Sequence, residues 1–118
     1  EIIERTIAAA IEDGAAIAAV PVKDTIKEAS NGFVRRTVPR DALLSVQTPQ
    51  AFSTDLLCKA FKKALEDNFT GTDESSLVER TGAPVRVVEG SYENMKITTP
   101  EDMAFAECVL RERLGVKR

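Results

Sequence analysis

Lys96 lies in Asn94-Met95-Lys96-Ile97-Thr98, where strand-like alternation puts Asn94, Lys96 and Thr98 on one face and Met95 and Ile97 on the other. An ammonium between two polar neighbours suits a phosphate, although a solvated surface lysine shows the same pattern. Thr48 ends a short strand-like stretch, Leu43 to Gln47, and Pro49 holds it extended. Ligands of open α/β sheets gather at such strand ends, so its hydroxyl and amide would face a crevice; plain strand-end punctuation accounts for it equally. Thr72-Asp73 opens a short helix, where capping explains both residues and a free hydroxyl beside the helix start would meet an anion. Residues 23–40 set Lys23, Lys27, Arg35, Arg36 and Arg40 against Asp24 and Glu28, a local +3 that leaves −6 on the other 100 residues. Such a stretch either holds an anionic ligand or acidic surface, or guards a sheet edge against aggregation.

These are hydroxyls and cations with no proton shuttle among them. The chain contains no histidine, which excludes Ser-His-Asp and Cys-His nucleophile chemistry, histidine general-base catalysis and the commonest zinc sites. What remains suits phosphoryl or nucleotidyl transfer, where catalysis is positioning and charge neutralisation.

The elements that must position these residues follow from periodicity and punctuation. Ile3, Ile7 and Ile11 repeat on one helical face, Gly14 supplies a stop, and no capping residue precedes Glu1; a helix begun without its cap is expected of a chain continuing upstream. Ala15 to Val20 reads as a buried strand of a parallel sheet. Residues 23–28 and 33–38 read as a polar hairpin about Ser30-Asn31-Gly32, marginal alone and so expected to pack on another surface such as a second subunit. Ser53 or Thr54 caps a helix to about Asp67, with Leu56, Leu57, Ala60, Phe61, Ala64 and Leu65 as its apolar stripe. A short helix follows Thr72-Asp73 and stops at Gly82, and Pro84–Glu89 and Met95–Thr98 read as strands. Thr99-Pro100-Glu101-Asp102 starts a last helix that turns Met103, Ala106, Val109 and Leu110 inward and ends at Gly115. Alternating strands and helices predict an α/β layered fold with a mostly parallel sheet.

The 118 residues suit one domain, and 43% hydrophobic with 30% charged is a globular rather than disordered balance. A net charge of −3 argues against a nucleic-acid-binding domain, and no apolar run reaches bilayer-spanning length. Cys58 and Cys108, 50 residues apart in apolar helix-like stretches, read as small core hydrophobes in a reducing compartment.

Four segments occur in an order and spacing that carry a family resemblance: Ala19-Val20-Pro21-Val22-Lys23-Asp24-Thr25-Ile26-Lys27, Val46-Gln47-Thr48-Pro49-Gln50-Ala51-Phe52, Gly71-Thr72-Asp73-Glu74-Ser75-Ser76, and the run from Glu89 through Asn94-Met95-Lys96-Ile97-Thr98-Thr99-Pro100 to Asp102. Across essentially its whole length the chain resembles the C-terminal half of the 2-C-methyl-D-erythritol 4-phosphate cytidylyltransferases. The resemblance implies a Rossmann-like nucleotidyltransferase sheet, here incomplete, with a β-arm at about residues 23–40 that protrudes to build a homodimer. It implies transfer of a cytidylyl group from CTP to the sugar phosphate, with release of pyrophosphate and with Mg²⁺ assisting, in non-mevalonate isoprenoid synthesis. By motif, Thr25 and Arg40 would reach the sugar phosphate in the partner subunit's site, while Thr48, Thr72 and Lys96 contact it from their own subunit. Arg40 and Lys96 would align the phosphate oxygen for attack on the α-phosphorus of CTP, and an already ionised phosphate needs no general base. The resemblance further implies a cytoplasmic, bacterial protein, with a plastid as the other setting, and neither nucleic acid nor membrane as partner.

The family's glycine-rich CTP loop, its catalytic arginine and lysine, and its Asp-Ala-Ala-Arg-Pro motif belong to an N-terminal half that these 118 residues do not include. The chain by itself is therefore expected neither to bind CTP nor to turn over, with residues 1–118 forming the C-terminal part of a single domain and the main Mg²⁺ ligands lying outside it. Ribitol 5-phosphate cytidylyltransferases share the Thr-Pro-Gln, Asn-x-Lys-Ile-Thr-Thr-Pro and Asp-Thr-Ile patterns, but Thr72-Asp73-Glu74-Ser75-Ser76-Leu77-Val78-Glu79 is closer to the methylerythritol version. A non-catalytic dimerisation module that kept the arm and lost the nucleotide half is the alternative from a different functional class.

Overall fold

The alanine-rich run after Gly14 becomes the central strand. A computed structural model describes residues 1–116, so the expected domain span of 1–118 ends two residues outside it. The elements are α1 (Ile2–Asp13), β1 (Ala15–Pro21), β2 (Ile26–Ser30), β3 (Phe33–Val38), β4 (Leu44–Phe52), α2 (Thr54–Glu66), α3 (Glu74–Glu79), β5 (Arg86–Glu89) and α4 (Pro100–Arg113). Every residue of β1 except Pro21 is buried, so both of its faces are covered, and its small side chains let the flanking elements approach closely. α1 packs on β1, β4 and β5, while α2 and α3 pack on each other and α3 reaches β1. The core gathers Ala15, Ala60, Ala64, Leu77 and Val78, with Phe52, Leu56, Leu57, Ala83 and Val85 half-buried against them.

The α/β reading holds, but the sheet is not mostly parallel. Its order is β4-β1-β5, with β5 parallel to β1 and β4 antiparallel to it. β4 does not stop at Pro49 either. It runs to Phe52, because Pro49 falls in a bulge: Ile17 pairs with Gln50 and Ala19 with Val46, leaving Gln47, Thr48 and Pro49 opposite Ala18. A residue without an N–H is tolerated at a bulge on an edge strand, and the Thr48–Pro49 bond is cis. Thr48 thus sits within a strand rather than at its end.

The hairpin forms, its second strand at the expected 33–38 but its first at 26–30 rather than 23–28, so that Ser30 pairs with Phe33. Asn31 and Gly32 both take positive φ (51° and 82°), the signature of a tight two-residue turn matched to strand twist. Glu28 accepts two hydrogen bonds from the Arg36 guanidinium (2.9 and 2.8 Å), and Lys27 Nζ donates to Thr37 Oγ1 at 2.8 Å. Two of the five cations are therefore engaged across the ribbon itself. All residues of β2 and β3 are exposed except half-buried Val38.

Several expectations fail for one reason: much of the apolar stripes of α1 and α4, and the Phe61–Leu65 edge of the α2 stripe, is left uncovered among the described residues. The Ile3, Ile7 and Ile11 stripe of α1 is exposed (Ile11 81%), and Thr6 is the buried residue where α1 crosses the sheet, its hydroxyl donating to the Ile2 carbonyl at 2.7 Å. In α2, Phe61 and Leu65 are exposed while Ala60 and Ala64 are buried. α4 buries no residue; of its expected inward set Met103 and Leu110 are exposed, and Ala106 and Val109 are half-buried. Cys58 and Cys108 are exposed free thiols rather than core residues, on the outer faces of α2 and α4. Met95–Thr98 is not a strand, because no neighbouring strand supplies a ladder for it among the described residues. Its alternating-face reading lapses with it.

The caps are local and follow the sequence closely. Glu1 provides no side-chain cap to α1, and Gly14 ends it at φ 89° with its N–H on the Ala10 carbonyl. Ser53 caps α2 and Asp73 caps α3. At α4, Thr99 and Asp102 cap reciprocally. Asp102 Oδ2 accepts from the Thr98 N–H (2.9 Å), the Thr99 N–H (2.9 Å) and the Thr98 hydroxyl (3.0 Å). These donors, the Thr98 amide first, hold its carboxyl below the ordinary aspartate value of 3.8. A depressed carboxyl pKa means that the cap's contribution is complete above 3.8 and is lost as pH falls through the lower folded value. In an NMR pH titration the Thr98 and Thr99 amide shifts should therefore move with a midpoint below 3.8, and Asp102→Asn should abolish the transition. A midpoint at or above 3.8 would contradict the cap.

Candidate functional site

Three of the expected residues come together. Thr48 on β4, Thr72 before α3 and Lys96 in the loop before α4 line one cavity of about 660 Å³, with Gln50, Asp73 and Glu74 as further polar walls and Phe61, Leu65 and Phe69 on the apolar side. All three are exposed, and among the described residues no hydrogen bond engages the Thr48 hydroxyl, the Thr72 hydroxyl or the Lys96 ammonium. Capping falls to Asp73, whose Oδ1 accepts from the Ser76 N–H at 2.8 Å. The Thr72 hydroxyl is thereby left for a ligand. The helix start itself is taken: the Ser75 and Ser76 amides are spent on Gln50 and Asp73.

Thr25 and Arg40 are held elsewhere. The register that pairs Ile26 with Val38 puts both at the base of the ribbon, Thr25 just before β2 and Arg40 just after β3. Neither lines the cavity of Thr48. The Arg40 guanidinium donates to the Lys23 carbonyl. Lys23 in turn places its ammonium 4.0 Å from the centre of the Tyr92 ring, and the Tyr92 hydroxyl donates to the Pro21 carbonyl at 2.7 Å. The ribbon base is thus fastened to the loop that carries Lys96.

Sequence reasoning missed the residues that hold the cavity's walls together. Gln47 and Gln50 flank Thr48-Pro49, the first within the bulge and the second just past it, and reach in different directions. Gln47 Nε2 donates to the Ser91 carbonyl (2.7 Å), and its Oε1 accepts from the Ser91 N–H (3.3 Å) and from Asn94 Nδ2 (3.2 Å). Asn94 Nδ2 also donates to the Thr48 carbonyl at 2.7 Å. Gln50 Nε2 donates to Asp73 Oδ2 (3.0 Å), and its Oε1 accepts from the Ser75 N–H (3.2 Å). Thr48 also borders a second cavity of about 740 Å³, shared with Pro49, Gly90, Ser91, Asn94, Arg5 and Arg113. Asn94 therefore faces away from the Lys96 side. Glu93 ties α4 to the same loop, accepting from Arg113 at 2.6 and 3.1 Å.

Two glycines permit these docks. A Cβ on Gly71 would overlap the Ser76 hydroxyl, and one on Gly90 would overlap Gln47 Oε1. Among the described residues no three of His, Cys, Asp and Glu converge as metal ligands, so these walls do not fit a metal site.

Gly90→Ala should therefore cost about 1–3 kcal/mol of stability through overpacking against Gln47. In a Gln47→Ala background the same change should cost far less, a coupling that denaturant midpoints of the four variants would reveal. Equal costs in both backgrounds would place the clash elsewhere.

The profile of one family, "IspD: 2-C-methyl-D-erythritol 4-phosphate cytidylyltransferase", matches residues 1–112. The 2-C-methyl-D-erythritol 4-phosphate cytidylyltransferase of Geobacillus kaustophilus is 52% identical over 107 residues, covering 91% of this chain and 47% of its own. That of Bacillus cereus is 53% identical over 111 residues, covering 94% and 49% respectively. The crystal structure of the Thermus thermophilus enzyme of that name superposes with a TM-score of 0.83 at 39% identity, over 93% of this chain and 54% of that one. The chain spans about half the length of the curated relatives it matches. With the match running from residue 1 to 112 and the fold agreeing over nearly the whole chain, this protein belongs to the 2-C-methyl-D-erythritol 4-phosphate cytidylyltransferase family.

Proposed function

We propose that residues 1–118 are the C-terminal part of a single cytidylyltransferase domain, and that the whole enzyme transfers a cytidylyl group from CTP to 2-C-methyl-D-erythritol 4-phosphate. The observation that carries this reading is the shared cavity of Thr48, Thr72 and Lys96, in which two hydroxyls and one ammonium have no competing partner among the described residues. A phosphate monoester is the ligand such a set satisfies: hydroxyls donate to its oxygens while the lysine neutralises charge.

In the reaction, an ionised oxygen of the sugar phosphate attacks the α-phosphorus of CTP. A new P–O–P bond forms, the bond from the α-phosphorus to the bridging oxygen of the β-phosphate breaks, and pyrophosphate leaves with that electron pair, giving 4-diphosphocytidyl-2-C-methyl-D-erythritol. No proton has to be removed from the nucleophile. Lys96 holds the attacking group in line and offsets charge, and Thr48 and Thr72 fix its orientation. Mg²⁺ accompanies CTP in this reading, with no residue of this chain assigned to it.

Thr25 and Arg40 complete the partner subunit's site in a homodimer built by a β-arm at about residues 23–40. Their separation from the Thr48 cavity and the exposure of the ribbon support that division.

In the full-length enzyme, Lys96→Ala should lower turnover by about a hundredfold or more, the scale of losing one charge-stabilising contact in the transition state; near-normal turnover would remove Lys96 from the mechanism. Assays with CTP and each sugar phosphate should favour methylerythritol phosphate, and preference for ribitol 5-phosphate would reassign the substrate. Mixing the Arg40→Ala and Lys96→Ala enzymes should restore activity, because one site of each mixed dimer then receives Arg40 from one subunit and Lys96 from the other. No restoration in demonstrated mixed dimers would mean that both act within one subunit.

A further inference from the structure

Resting on the cytidylyltransferase reading above, we propose that Gln47 and Gln50 are positioning residues for the sugar phosphate: Gln47 sets the loop that carries Lys96, and Gln50 sets the segment that carries Thr72. Neither amide continues the ladder of β4. Gln47 spends both ends on the 91–94 loop, clasping the N–H and carbonyl of Ser91 and the side chain of Asn94. Gln50 spends both ends on residues 73–75. Thr72 precedes Asp73 directly, and Lys96 follows Asn94 by two residues.

The Lys96 and Thr72 side chains have no anchors of their own among the described residues, so the backbone that the glutamines fix decides where their polar ends stand. Gln47 stands in the bulge that presents Thr48, and Gln50, paired with Ile17, closes it. One short stretch of strand thereby sets the relative positions of all three phosphate-binding groups. In-line transfer is sensitive to placement on the ångström scale, so these side chains act on the reaction without touching it.

The test uses the full-length enzyme with the near-isosteric changes Gln47→Glu and Gln50→Glu, which keep shape and acceptor but remove the donor. In Gln47→Glu a carboxylate oxygen faces the Ser91 carbonyl; in Gln50→Glu it faces the Asp73 carboxylate. Each variant should lose about ten- to a hundredfold in kcat/KM for the sugar phosphate while the KM for CTP stays within about twofold. The Gln50→Glu defect should also shrink from about pH 8 to about pH 6, because two facing carboxyls raise the affinity for a shared proton that recreates the missing donor. A KM for CTP that rises as steeply as kcat/KM for the sugar phosphate falls, or a Gln50→Glu defect that ignores pH, would make the glutamines merely structural and overturn the proposal. Wild-type turnover with unaltered kinetics in both variants overturns it alone. A wild-type enzyme that turns over no sugar phosphate overturns the functional reading and this proposal with it.

Discussion

The bulge in β4 is the constraint from which the site follows. Three residues, Gln47, Thr48 and Pro49, stand opposite Ala18 alone, so the regular ladder is broken at that point. A broken ladder leaves side chains free to do what backbone amides do elsewhere. Here two glutamine amides take up that work, each satisfying a backbone N–H outside the sheet: Ser91 in the loop after β5 for Gln47, and Ser75 in the first turn of α3 for Gln50. Buried and half-buried amides are costly to leave unpaired, so the loops are drawn to these positions rather than merely permitted there. The small residues of β1 make the approach feasible, and Gly90, whose N–H donates to the Ala19 carbonyl at 2.9 Å, extends the parallel pairing to the edge of the site.

The distribution of charge gains meaning from this frame. The basic stretch 23–40 is not one patch. Lys27 and Arg36 are used across the ribbon, Lys23 is stacked on Tyr92, and Arg40 is hydrogen-bonded at the ribbon base. Four of the five cations thus have partners within their own chain. Tyr92 joins the two halves of the picture, since one side chain touches the ribbon base while its backbone belongs to the loop leading to Lys96.

Local chemistry was the legible part of the sequence. The caps at Ser53, Asp73 and Thr99 and the Asn31-Gly32 turn depend on neighbours within a few residues, and they appear where punctuation put them; the buried run Ala15–Val20 was legible from its unbroken apolar composition. What failed depended on distant partners. Strand direction in β4 is set by pairing with β1, and a proline that looked like a stop became tolerable only because a bulge surrounds it. The inward faces assigned to Cys58, Cys108 and Met103 assumed a covering layer that the described residues do not supply. Thr48, Thr72 and Lys96 were identified as ligands by type and motif, whereas Gln47 and Gln50 went unread, because a glutamine's role is fixed by what it reaches 23 to 47 residues away.

The most direct test is a crystal structure of the full-length enzyme with 2-C-methyl-D-erythritol 4-phosphate bound. The phosphate should lie within hydrogen-bond reach of Lys96 Nζ and the Thr48 and Thr72 hydroxyls of one subunit, with both glutamine docks intact. A phosphate seated instead in the neighbouring cavity beside Ser91, Asn94 and Arg113, out of reach of Lys96, would contradict it.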